Sequence, residues 1–209
     1  FYLLSASFGV TLGIAFSANA LTMYLFYELL TLATLPLVMH AMDSKVRYAG
    51  RVYLTYSMCG AALGFLAMVM LLEHGGTVFL LGGSLVCPAG KENTLRAAYV
   101  LGFFGFGVKA AVFPGHKWLL RASVAPTPVT ALLHAVAVVK AGVFAVTRLT
   151  WYATDLPFFG LLGPIPGDGG GHLYHCVRFL QGASHQALKA RLAWSTISNL
   201  SYVLLGVTT

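Results

Sequence analysis

The stretch GFGVKAAVFPGHKWLL, Gly105 to Leu120, puts a lysine inside an apolar run five residues before a proline. Pro114 has no N–H to give the carbonyl of Ala110, so a helix entering through Gly105 must kink or break just beyond Lys109. In a water-soluble domain that lysine would simply turn outward. Here 58% of residues are hydrophobic and 9% charged, with a mean hydropathy of +0.79; an ordinary soluble domain carries roughly 25% charged residues. The composition is that of an integral membrane protein, and the fold class it implies is an all-α bundle of transmembrane helices. A length of 209 residues suits one domain with room for about six spans of ~20 residues each.

Hydropathy places this stretch within a series of spans. The helix carrying Lys109 covers about 97–113, HKWLLRASVAPTP reads as a short helical piece and a loop, and Thr127 to Leu149 forms a further helix. Upstream, helices at about 1–17 and 20–41 flank the polar break at Asn19, a basic loop runs from Asp43 to Arg51, and another helix covers 52–72. The Gly-rich connection 73–96 is too interrupted for a span. Gly and Pro within the spans require protein or water to satisfy the freed backbone groups. With no initial methionine or charged leader, and an abrupt end at VLLGVTT, the chain is expected to be a piece of a longer protein without a signal peptide.

The formal charge of +7 raises the question of nucleic acid. The basic residues punctuate apolar helices in ones and twos and build no stripe, so no nucleic-acid partner is expected. Instead they orient the spans. Lys45, Arg47 and Arg51 share a side with Lys117 and Arg121 if the helices alternate, and the positive-inside rule makes that side cytoplasmic. Lys189 and Arg191 fit this orientation only if the chain crosses once more after Leu149, yet 150–188 holds no run of ~18 apolar residues. The sequence thus divides into helices over 1–149, an aberrant Gly- and Pro-containing connection over 150–188, and the start of another helix over 189–209.

Four ionisable residues fall within the spans: Glu28, Lys109, His134 and Lys140. A charge at the bilayer centre costs roughly 2.5–3.5 kcal/mol on insertion scales, so each is a functional candidate. Glu28 has Tyr24, Thr31 and Leu32 on its helical face; its bland reading is a protonated acid hydrogen-bonded for packing. Lys109 follows Gly102, Gly105 and Gly107, which admit another helix or water; burial and a neighbouring carboxylate tune a lysine's proton affinity. Its bland reading is snorkelling to the interface. Lys140 lies deep in an apolar helix, where snorkelling is hard. His134, six residues earlier, points about 240° away, with Thr130 on its own face as a candidate hydrogen-bond partner. A lone histidine is more often a satisfied core residue, but among two lysines and a glutamate it suits a proton path.

These residues carry a resemblance. VKAAVFPGHKWLLRASVAPTPVTALLHAVAVVKAGVFAVTRL, Val108 to Leu149, resembles the central segment of the antiporter-like subunits of respiratory complex I (the long antiporter subunit) and the large subunit of Mrp-type cation/proton antiporters. The VK, FPxHxWL, APTPVxALLH and VKAG elements follow in order, with the two lysines 31 residues apart. FYELLTLATLPLV, Phe26 to Val38, is similar to the family's glutamate-bearing helix, and LKARLAWSTISNLSYVLLG, Leu188 to Gly206, to the opening of a later one. The likeness covers about 1–149 and 186–206. It departs at PIPGDGGGHLYHCVRFLQGASHQ, where family members place an apolar helix.

The resemblance implies that Glu28 and Lys109 form a charge pair, that Lys140 is the central relay and His134 its link, with Pro114 marking the helix break. It implies a proton-translocating subunit of a multisubunit complex, redox-driven in the manner of an NADH:quinone oxidoreductase. Its alternatives are an Mrp-type Na⁺/H⁺ antiporter or proton-coupled uptake of inorganic carbon. A structural subunit with a packing ion pair is a third possibility. The partners expected are other membrane subunits, protons or Na⁺, and the lipid bilayer, in a bacterial inner membrane. No cofactor motif, catalytic centre or metal site of its own is expected. Cys59, Cys87 and Cys176 contain no CxxC. His172, His175 and Cys176 have ligand-like spacing but read as a coincidental loop, and Gly167 to Gly171 as a flexible connection. Trp118 and Trp151 are expected at membrane boundaries, and Cys59 as a packing residue.

Overall fold

The computed structural model describes residues 2–41, 43–74, 78, 91–153 and 188–208. The connection 79–90, the HxxHC cluster and the GDGGG run lie outside the described residues. Apart from an isolated bridge between Asn19 and Val78, the described secondary structure is helical. Helix α1 (Tyr2–Phe16) turns through Asn19 into α2 (Ala20–Val38), whose first turn is capped by the Asn19 side chain accepting from the Thr22 amide. Gly13 makes this hairpin close, since a Cβ there would stand 2.5 Å from the Phe26 ring.

Helix α3 runs from Ser44 to Leu72 and begins eight residues earlier than the hydropathy reading placed it. The basic stretch is therefore the first two turns of a helix. Asp43 accepts from the Ser44 amide at its start, and Lys and Arg are good helix formers even where hydropathy falls. Helix α4 (Glu92–Gly107) crosses α3 where glycines meet: a Cβ on Gly105 would lie 2.5 Å from the Gly64 amide and 2.9 Å from the Gly60 carbonyl. Small residues four apart allow such close backbone approach in membrane bundles.

Past the break come α5 (Lys117–Ala122), α6 (Thr127–Ala131) and α7 (Val138–Arg148), then α8 (Leu188–Thr208). One turn of π-helix, Leu132–Val136, joins α6 to α7, and another, Leu149–Ala153, follows α7. Among the described residues, three segments are long and apolar enough to cross a membrane: Ala20–Val38, Ser44–Leu72 and Thr127–Trp151. The core includes Tyr27, Tyr53, Tyr99, Trp118 and Leu133. Basic residues of α3, α5 and α8 gather at one end: Arg121 lies over the Tyr48 ring, 4.9 Å from its centroid, and Lys189 donates to the Ala125 carbonyl. The first turn of α8 therefore sits beside the residue that follows α5.

Candidate functional site

The interruption in α4 starts earlier than the proline suggests. The helix ends at Gly107, two residues before Lys109, so the lysine sits in the break rather than on a helix leading up to it. Ala111 takes a left-handed φ of 57°, and the Phe113–Pro114 peptide is cis. A helix end orphans its last carbonyls, and side chains take them up here: the Tyr27 hydroxyl donates to the Phe106 carbonyl at 2.9 Å, and the Trp118 indole to that of Val108 at 2.7 Å. Trp118 is thus buried at the break, its N–H sharing the Val108 carbonyl with the Ala111 amide. Trp151 is exposed.

Lys109 is 1% exposed, with its Nζ 3.8 Å from Glu28 Oε1. The same ammonium donates to the backbone carbonyl of Tyr27 and stands 3.4 Å from the centroid of the Tyr27 ring. A carboxylate, a carbonyl dipole and a ring face thus surround the Lys109 amine. The 3.8 Å separation is an ion-pair distance but too long for a hydrogen bond, and Glu28 Oε1 has no hydrogen-bond partner among the described residues. One turn on, the Thr31 hydroxyl is likewise buried and unpartnered. The next turn brings Thr34, whose Oγ1 lies 2.8 Å from the Tyr53 hydroxyl. A line of polar atoms between α2 and α3 thus leads from Glu28 toward the basic end.

His134 is buried in the π turn, where the Ala137 amide reaches back five residues to the Leu132 carbonyl. Such turns recur at functional sites. The Thr130 hydroxyl does not reach the histidine; it bonds the carbonyls of Ala125 and Pro126 at 2.9 and 3.1 Å, which its own helix presents closer. His134 Nε2 has no hydrogen-bond partner among the described residues.

Lys140 lies on the exposed side of α7, away from His134. Its helix nevertheless touches the break. A Cβ on Gly142 would stand 2.7 Å from the Lys109 carbonyl carbon, so the residue two after Lys140 packs directly on the backbone of the other lysine. The structure therefore joins Glu28 to Lys109, sets Lys140 near the break without contact, and leaves His134 on a separate face. Tyr27, Thr34, Tyr53 and Gly142 were not singled out from sequence. Their signal was spacing relative to Glu28 and Lys140, which acquires meaning once the partner helix is known. Among the described residues no group of His, Cys, Asp and Glu could hold a metal ion. Cys59 faces outward rather than packing.

The family described as NADH:quinone oxidoreductase/Mrp antiporter, TM, matches residues 17–161. The chain is 32% identical over 206 residues to an Na(+)/H(+) antiporter subunit of Alkalihalophilus pseudofirmus, covering 94% of this chain and 24% of that protein. It is 30% identical over 195 residues to hydrogenase-4 component B of Escherichia coli, covering 90% and 28%. It superposes on a chain of the Mrp complex from Dietzia sp. with a TM-score of 0.84 at 27% identity, covering 99% of this chain and 22% of that one. The fold also matches a chain of respiratory complex I from Thermus thermophilus, with a TM-score of 0.77 at 23% identity over 98% and 44%. The chain spans about a quarter of the length of these curated relatives. It is an integral membrane protein, similar to subunits of multisubunit membrane complexes. Since the match takes in α2, the break and all of α6 and α7, this chain belongs to the NADH:quinone oxidoreductase/Mrp antiporter transmembrane family.

Proposed function

We propose that this chain moves protons across the membrane as part of one subunit of a multisubunit ion-translocating complex in a bacterial inner membrane. The observation that carries the reading is the pair formed by Glu28 and a Lys109 buried inside a helix break. A proton arriving near Glu28 neutralises it and removes the partner that holds the charge on Lys109. The lysine then yields its proton toward the π turn and α7, which carry His134 and Lys140 as the onward groups. No covalent step is needed, since buried groups that interact strongly titrate together.

Exchange of Na⁺ for H⁺ is the favoured setting, because the relative at 32% identity is part of an Na(+)/H(+) antiporter. The second setting is a redox-driven pump, as in the complex I whose chain shares this fold. The test uses everted vesicles carrying the intact parent protein with its partner subunits and a pH-sensitive dye. Na⁺ is added without reductant, then NADH, with and without Lys140→Ala. A pH change on Na⁺ alone, lost in the variant, is the expected result. A change requiring NADH and lost in the variant assigns the redox-driven pump. Equal behaviour of variant and parent in both arms overturns the relay and leaves the ion pair a packing device.

A further inference from the structure

The cations of the basic end differ in what they touch. Arg121 lies over Tyr48 and Lys189 holds the Ala125 carbonyl. Among the described residues, neither the Arg47 nor the Arg51 guanidinium has a carboxylate partner. Both line one open, mostly apolar cleft of about 470 Å³ together with Met39 and Ser44, and both are exposed. Gly50 shapes it, since a Cβ there would meet Met39 at 2.5 Å; Met39 can lie on α3 only because that Cβ is missing. The charges nearby are Lys45, which is exposed, and Asp43, whose Oδ1 accepts from the Ser44 amide. Three cations therefore face one carboxylate.

Arg47 and Arg51 are one turn apart on α3, and their line continues toward the membrane interior. Thr55, Met58, Ala62 and Leu66 follow at steps of three and four residues, all exposed, with Met58 at 55% and Leu66 at 49%. A guanidinium fork matches phosphate oxygens in geometry and charge, two such groups stand one turn apart here, and the stripe beneath them is apolar after its first turn. A free phosphate would use the fork and leave the stripe idle; a lipid uses both.

We propose that the exposed charged ends of Arg47 and Arg51, at the rim of this cleft, bind the phosphate of an anionic phospholipid headgroup, with an acyl chain lying along the Thr55–Leu66 stripe. The site is independent of the proton path and stands whichever complex the chain serves. The intact parent complex, taken from nanodiscs of mixed phosphatidylglycerol and phosphatidylcholine, is studied by native mass spectrometry. Phosphatidylglycerol should be retained over phosphatidylcholine and resist displacement by millimolar inorganic phosphate. Replacing both arginines, R47Q with R51Q, should lower that retention by about tenfold or more, since each basic residue at the interface adds its own attraction. The R47K, R51K pair keeps the charge but loses the fork, and should retain an intermediate amount. Equal retention of the two lipids, or a glutamine pair that holds phosphatidylglycerol as well as the parent does, overturns the proposal. Displacement by inorganic phosphate also overturns it and assigns the cleft to a free anion.

Discussion

At the scale of single residues, the governing fact is that Lys109 is buried with one nearby carboxylate and one aromatic face. Removing one partner of a buried pair strands the other charge, which costs about 3–5 kcal/mol, whereas replacing both with apolar groups is often neutral. Glu28→Gln alone should therefore lower the thermal stability of the parent complex, and Glu28→Gln with Lys109→Met should restore most of it while transport stays absent. A double variant as unstable as the single one would show that the pair contributes through something besides its charge. Tyr27 makes a finer test. Tyr27→Phe keeps the ring beneath the ammonium and loses the bond to the Phe106 carbonyl; Tyr27→Leu loses both. Proton transport should fall further in the leucine variant, measured in the same vesicles at equal assembly. Glu28 and Lys109 could be read from sequence because a charge in an apolar run stands out. Tyr27 could not, because an aromatic residue there looks like any other lipid- or core-facing side chain.

At the scale of elements, helices and their order were legible and their ends were not. Hydropathy cannot separate a loop from a basic helix end, which is why α3 seemed to start late. Nor does Pro114 say how far back a break extends; the left-handed Ala111 and the side-chain bonds from Tyr27 and Trp118 set that. The closeness of α3 to α4 rests on Gly60, Gly64 and Gly105. Gly105→Val would drive a branched side chain into the backbone of α3, which cannot shift as a flexible side chain can. Overpacking typically costs 1–3 kcal/mol where neighbours can give way, so here the loss should be at the upper end or beyond. Assembly of the parent complex, followed by size-exclusion chromatography in detergent, should fail or drop sharply. Gly9→Val, with nothing within 4 Å of its Cβ, is the control and should assemble normally. If both assemble alike, the α3–α4 crossing is looser than the glycines indicate.

At the scale of the whole molecule, the two ends of the bundle are held by different chemistry. At one end Arg148 reaches across to α1, donating to the carbonyls of Ser17 and Ala15, and its guanidinium rests 4.8 Å from the Phe144 ring centroid. At the other end Arg47, Arg51, Arg121 and Lys189 gather around the starts of α3 and α8. The positive-inside rule counts lysines and arginines in short segments beside the spans, and it assigns this second end to the cytoplasm. That assignment was legible from Lys45 to Arg121, but from Thr150 onward the sequence lacks the apolar run needed to carry it to Lys189. The contact between Lys189 and Ala125 puts the start of α8 at the same end of the bundle as the residue that follows α5, which is the end the charge rule expects. In the parent protein freed of other cysteines, Lys45→Cys and Lys189→Cys should both react with a membrane-impermeant maleimide in everted vesicles and stay protected in right-side-out cells. Phe16→Cys, exposed near the Arg148 end, should show the reverse. Lys189→Cys reacting from the same side as Phe16→Cys would break the link between α5 and α8, and with it the placement of α8 against α7.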